Sequence, residues 1–309
     1  MSSNRTPKDP RSDQDNGHPA VGDRCARVLP YHGTVRPETP EWVENHSDHS
    51  ALLPIGELWS SRELVWFFAL RDIRVRYKQA TLGVLWVILT PTLTVAAFTL
   101  AFDRLSGVET GGLDYPIFAL SGLLAWTYLA QAIARGSEML VATPSLVTKV
   151  YFPRLTAPLA ALVPPIADLG VGMLLLAVAC VVYGVAPSLA FALLPLWLVL
   201  LALAAVGPVL ILAALNVRFR DVRHLVAPML QAALFLSPVA YSGANLDGAA
   251  RWLFALNPAY APVELARVVL VGAEWPGTLI VVSVASAALL AVGGLIYFQR
   301  AQRSFADVI

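Results

Sequence analysis

From residue 51 onward the chain alternates long apolar runs with short basic loops. Residues 79–102 carry no charge, residues 115–134 carry none, and residues 155–217 carry one, Asp168. A helix rises 1.5 Å per residue, so the last run as a single helix would be roughly 95 Å long, about three times the hydrocarbon thickness of a bilayer. Tyr183-Gly184-Val185-Ala186-Pro187-Ser188 is a turn signal near its middle and divides it in two. Charge-free runs at 225–246 and 275–299 complete the series. Because about 20 apolar residues suffice for one crossing, the pattern predicts six transmembrane helices, at about 79–102, 115–136, 157–183, 189–215, 225–245 and 276–298.

Two segments depart from this rhythm. Residues 57–78 read as one helix, apolar all round at 64–70; beyond that, Leu70, Ile73 and Tyr77 share one face beside another that carries Arg71, Arg74 and Lys78. This predicts an amphipathic interfacial helix within 51–78, its basic side chains turned to lipid headgroups. In 247–274 the longest uncharged run, 252–263, is only 12 residues, and it contains Asn257-Pro258 and Pro262. A piece that short does not cross, and hydrocarbon offers no partner for the backbone groups that proline frees. It predicts short outer gate helices, interfacial or re-entrant, between spans five and six. Residues 1–50 are polar and without apolar periodicity, which predicts a disordered tail. They show no short apolar stretch ending in a small-residue cleavage site, so the tail is expected to stay in the cytosol.

Composition supports the membrane reading. The chain is 57% apolar and 14% charged, with a mean hydropathy of +0.64, whereas soluble domains carry about 25% charged residues. A net charge of +1 gives no case for nucleic acid as a partner. With the amino terminus in the cytosol, Arg62, Arg71, Arg74, Arg76, Lys78, Lys149, Arg154, Arg218, Arg220, Arg223, Arg300 and Arg303 fall inside, against Arg104, Arg251 and Arg267 outside. That is the bias expected of cytosolic loops, and it places both termini in the cytosol.

Several chemistries lack their residues. A phosphate-binding P-loop needs a lysine after glycine, and Lys8, Lys78 and Lys149 all follow other residues. There is no HExxH or GxSxG motif. Four of the five histidines lie in 1–50, and His224 stands alone in a basic loop, so no metal site is expected. Cys25 and Cys180 form neither a CxxC motif nor a disulfide framework. Asp168 is a carboxylate at bilayer depth, a costly placement that usually faces a bundle interior or an aqueous path. A structural hydrogen bond to another span is preferred here over proton coupling. Trp86, with Trp126, Phe235 and Tyr241, supplies aromatic surface able to line a channel.

Five stretches then carry a resemblance. Arg71-Asp72-Ile73-Arg74-Val75-Arg76-Tyr77-Lys78-Gln79 runs into Leu82-Gly83-Val84-Leu85-Trp86. Leu146-Val147-Thr148-Lys149-Val150-Tyr151-Phe152-Pro153-Arg154 follows, then Leu215-Asn216-Val217-Arg218-Phe219-Arg220-Asp221-Val222, Leu256-Asn257-Pro258 and the closing Phe305-Ala306-Asp307-Val308-Ile309. In this order they resemble the ABC-2 permeases that export polysaccharides, from about residue 57 to the end and leaving the first fifty residues unmatched.

The resemblance implies a homodimer of six-span subunits in the bacterial cytoplasmic membrane, each partnered by a separate ATPase. ATP and magnesium would be bound by that partner, so this chain would hold no cofactor. The cargo implied is a lipid-linked glycan such as an O-antigen, capsule, teichoic acid or related cell-wall polymer. The segment from Ser145 to Arg154 is implied to be a coupling helix. In it Lys149 and Arg154 pair with acidic groups of the ATPase, and Tyr151 and Phe152 supply buried contact. Arg218, Arg220 and Asp221 form the second cytosolic loop. Arg71, Arg74 and Lys78, with Tyr77, would lie at the cytosolic mouth, where arginine suits linker phosphates; attraction to anionic lipid explains the same stripe equally well.

The expectation is thus an all-α integral membrane protein that acts as a transport permease and not as an enzyme. Its rivals are an ABC-2 permease for a drug or a simple lipid, a membrane-embedded glycan-processing enzyme, and a secondary transporter, the last disfavoured because no inverted-repeat symmetry is apparent.

Overall fold

A computed structural model describes residues 56, 62–78, 83–104, 110–142, 154–186, 188–243 and 248–307. The tail 1–50 lies outside the described residues, as do Ser145, Lys149, Tyr151 and Phe152. Among the described residues all regular structure is helical. The helices are α1 (Arg62–Lys78), α2 (Gly83–Phe98, running into a π-helical stretch to Arg104), α3 (Tyr115–Ala142), α4 (Thr156–Ala160), α5 (Pro164–Tyr183), α6 (Leu194–Arg218), α7 (Val222–Phe235), α8 (Gly248–Ala255), α9 (Tyr260–Val271) and α10 (Leu279–Ala301, running into a 3-10 stretch to Asp307).

Five segments among the described residues are long and apolar enough to cross a membrane: Leu85–Phe102, Tyr115–Ala142, Thr156–Tyr183, Leu189–Arg218 and Leu279–Ala301. The chain is an all-α, multi-pass integral membrane protein. Where the sequence predicts a crossing at 225–245, the helix is α7, 14 residues long and hence about 21 Å. It stops because Pro238 disfavours helical backbone at Ser237. The Ser237 hydroxyl instead donates back to the Ala233 carbonyl, 2.9 Å away.

The other ends follow similar local rules. Pro164 and Pro165 open α5, where a first-turn residue needs no amide partner. Gly184, at φ 71°, closes it in the left-handed conformation that glycine adopts freely. Ser188 then starts the 3-10 turn into α6 by accepting from the Ala190 amide at 3.2 Å.

α3 is the most buried span and α2 the least. α6 lies between α3 and α10, and its contact with α10 is backbone on backbone. A Cβ on Gly207 would stand 2.6 Å from the Leu290 carbonyl, and one on Gly294 would stand 2.7 Å from the Gly207 carbonyl oxygen. Small residues at such a crossing replace side-chain interdigitation with direct van der Waals contact between helices.

α1 packs through Phe68 and Ala69, both buried, with Leu64 and Val65 beside them. Trp66 and Phe67 are 58% and 63% exposed. The packed stripe centres on 64, 65, 68 and 69, the i, i+3, i+4 spacing of one helix face, and Leu70 and Ile73 beyond it are half-buried.

Candidate transport site

Three arrangements of side chains stand out, one at each end of the bundle and one between. The first joins the ends of α3, α6 and α10 to α1 and α4. Phe68, Leu140, Leu155, Leu210, Phe298 and Phe305 form one buried cluster, in which the rings of Phe298 and Phe305 meet edge to face at 5.7 Å. Arg154 closes it from outside: Nη1 donates to the Gln302 carbonyl at 2.7 Å, and its guanidinium carbon lies 5.9 Å from the centre of the Phe305 ring. The residue expected to reach a partner thus holds this chain's own carboxy-terminal segment. Asn216, fully buried, ties α6 to α3 nearby by donating to the Ser137 carbonyl at 2.9 Å.

The remaining basic candidates near this end are placed as follows. Arg71 bonds its neighbour Asp72 through Nε and Nη2, at 3.2 and 3.0 Å, and lies over Phe68. Its charge is therefore compensated within the chain, while Arg74 is exposed. Tyr77 and Lys78 fall in the last turn of α1, their side chains outside what is described. Arg218 lies over Phe219 at 5.3 Å. Arg220 and Asp221 are exposed in the turn before α7.

The second arrangement is a cavity of about 400 Å³ between α2, α3 and α5. Trp86, 59% exposed, stands on its α2 wall with Thr90 and Thr94. α3 supplies Thr127, Tyr128 and Gln131, and α5 supplies Asp168, only 7% exposed. The two channel candidates from distant parts of the sequence therefore share one cavity. Thr94 donates to the Thr90 carbonyl at 2.9 Å and Tyr128 to the Leu162 carbonyl at 3.1 Å, leaving hydroxyl oxygens as acceptors. Gly172, also on α5, lets the Leu124 side chain close against the backbone, its Cδ2 methyl filling the place of a Cβ.

The third arrangement lies at the opposite end, where α7 stops short. The segment after α7 exposes carbonyls that membrane hydrocarbon could not satisfy, and side chains cap them one by one. Asn257 Nδ2 donates to the Leu236 carbonyl at 3.1 Å and to Ser237 Oγ at 2.9 Å. Arg267 Nη2 donates to the Pro238 and Val239 carbonyls at 2.6 and 3.0 Å, and Tyr115 Oη donates to the Ala240 carbonyl at 2.8 Å. Arg267 also donates from Nε to the Phe118 carbonyl and lies 3.7 Å over the Phe118 ring. Its Nη1 sits 3.1 Å from Glu264 Oε1, and that same oxygen accepts from the Gly243 amide at 2.7 Å.

Both ions of that pair are buried, at 2% and 4% exposure. Burial lowers the pKa of Arg267 from its ordinary value, and the Glu264 carboxylate pulls it back up. Gly122 makes room, since a Cβ there would lie 2.9 Å from Nη2. Asn257 further accepts from the Ala259 amide, and Ser283 on α10 bridges the Asn257 carbonyl and the Ala261 amide. Trp197 on α6 holds the Pro262 carbonyl. As a result α9 is almost wholly buried, whereas α8 presents Trp252 and Leu253 at 56% and 67% exposure.

Sequence reasoning counts Arg267 with the outer-loop charges and leaves Glu264 unremarked. On a helix an acid and a base three positions apart normally read as an exposed pair. The available signal was their position inside an otherwise apolar twelve-residue helix, beside Pro258 and Pro262.

The ABC-2 type transporter family matches residues 63–271. A protein named O-antigen export system permease protein RfbA, from Myxococcus xanthus, is 31% identical over 206 residues, which is 66% of this chain and 78% of that protein. A protein of the same name from Klebsiella pneumoniae is 24% identical over 246 residues, 77% of this chain and 92% of its own. The family match runs from the first turn of α1 through the last residue of α9, and the chain belongs to the ABC-2 type transporter family.

Proposed function

We propose that this chain is the permease subunit of an ATP-driven exporter of lipid-linked polysaccharide of the O-antigen type. The observation that carries the reading is the continuous likeness, over 66–77% of the chain, to proteins named as O-antigen export permeases. In this reading two copies form the path in the bacterial cytoplasmic membrane, with both termini in the cytosol and α7 together with 236–243 making the sixth crossing. A separate ATPase binds ATP and magnesium, in keeping with the lack of any Gly-Lys pair here.

Ser145, Lys149, Tyr151 and Phe152 meet that ATPase, and Arg154 ties their segment to the carboxy terminus. Arg74, with Lys78 and the partly compensated Arg71, attracts the linker phosphates. α8 and α9 form the outer gate.

The test is reconstitution of the chain with its ATPase in liposomes carrying lipid-linked glycan. ATP-dependent appearance of glycan in the opposite leaflet is expected, with loss of ATPase binding in Tyr151→Ala. Delivery of a short-chain lipid but not the glycan would favour the simple-lipid rival. A folded chain that binds no ATPase and alters the glycan by itself would overturn the reading in favour of an enzyme.

A further inference from the structure

We propose that the cavity between α2, α3 and α5 is a site for an uncharged sugar ring, one in each copy of the chain, which turns away phosphates and acidic sugars. This deepens the exporter reading and rests on it. At about 400 Å³ the cavity is roughly thirteen times the ~30 Å³ share of one water molecule, and within the roughly 300–1,000 Å³ range of ligand pockets. It is too large to be a structural water site.

Its lining also suits an acyl chain poorly. The hydroxyls of Thr90 and Thr127 would be left facing hydrocarbon, at a cost of roughly 2 kcal/mol or more per unpaired polar group. What Thr90, Thr94, Thr127, Gln131 and Asp168 share is the ability to exchange hydrogen bonds with hydroxyls: carboxyl and amide oxygens accept, the amide nitrogen donates, and threonine does both. Asp168 and Gln131 already have partners within the protein, so a sugar joins a formed network. Trp86 adds a broad apolar face to one wall, the surface on which the C–H face of a pyranose packs.

The charge of the lining sets the selectivity. Among the described residues no lysine, arginine or histidine lines the cavity, and the one carboxylate there is Asp168. Nothing there compensates a phosphate or a uronate, which would be buried without a cation. Recognition of the cargo is thereby divided. Anionic linker groups belong with the arginines of α1, and neutral sugar units belong in the cavity.

The test uses the full chain with its ATPase in proteoliposomes, with Cys25 and Cys180 replaced by serine and Thr94→Cys as a reporter. The rate of modification by a small water-soluble thiol reagent is measured with added lipid-linked glycan, with the sugar-free polyprenyl pyrophosphate, with maltotriose and with trigalacturonate. The glycan and maltotriose are expected to slow modification several-fold, and the pyrophosphate and trigalacturonate to leave it unchanged. A second reporter, Thr127→Cys, should behave in the same way. Equal rates under all conditions, or no modification in any, would overturn the site; equal protection by maltotriose and trigalacturonate would overturn its selectivity. ATP-driven glycan delivery is measured with the serine-substituted parent. Absence of delivery refutes the exporter reading, whereas delivery alongside unprotected reporters refutes the cavity alone.

Discussion

The two ends of the bundle are held together by opposite kinds of chemistry. At the end that carries α8 and α9, cohesion is directional: Arg267, Glu264, Asn257, Ser283 and Tyr115 each hold named backbone atoms at 2.6–3.3 Å. At the other end it is mostly shape, with Phe68, Leu155, Phe298 and Phe305 filling one apolar cluster and Arg154 as the main polar clasp described on its surface. The difference has a physical origin. Where α7 stops short, free carbonyls sit among buried residues and each needs a donor. Around Phe305 the helices retain their backbone bonds, and what remains to be buried is side-chain surface. A directional network tolerates little change, whereas an apolar cluster tolerates substitutions that conserve volume.

Substitutions can break or sharpen this contrast, and Arg267→Met has the largest expected effect. It leaves Glu264 buried without its cation and the Pro238 and Val239 carbonyls without their donor, a loss of about 4 kcal/mol. Thermal unfolding of the purified protein in detergent measures it. Arg267→Lys should fare nearly as badly, because an ammonium lacks the forked geometry that reaches several carbonyls. Phe305→Ala should cost about 3 kcal/mol in the same assay by emptying a buried ring position. Phe305→Leu should cost less than about 1.5 kcal/mol, and an equal loss from both would show that the cluster is no softer than the network.

Asn257→Ala, which removes the donors to Leu236 and Ser237, should cost about 1–2 kcal/mol. It should also raise hydrogen exchange in 236–240 ahead of global unfolding. The smallest effect on stability is expected from Arg154→Lys, under about 1 kcal/mol. That change keeps the charge but weakens the hold on Gln302, and the informative readout is the ratio of glycan delivered to ATP hydrolysed, which should fall.

The same contrast explains how much was legible in the sequence. The long crossings could be read because each is a long apolar run with little or no charge, and Gly184 marks the end of α5 by a conformation that glycine adopts cheaply. Asn257-Pro258 flagged the short helices for a sound reason, since proline and a short apolar run together imply backbone that must be capped. The capping groups themselves were not legible. Arg267 contacts carbonyls at 118, 238 and 239, and no local pattern reports contacts so distant in sequence. The stop of α7 was missed because hydropathy stays high past Ser237-Pro238. Trp86 and Asp168 were each singled out, Asp168 as a charge in an apolar run and Trp86 as aromatic surface, but their meeting in one cavity depends on how α2 lies against α5.

The glycine contact between α6 and α10 gives these two ends a mechanical relation. With backbone against backbone at Gly207 and Gly294, the two helices lack the layer of side chains that elsewhere gives by rotating. They form one stiff push rod. Near its start α10 carries Ser283, which holds the start of α9, and in its last turn Phe298, against which Phe305 rests. A shift of a fraction of an ångström imposed at the aromatic end therefore arrives at α9 with little slack.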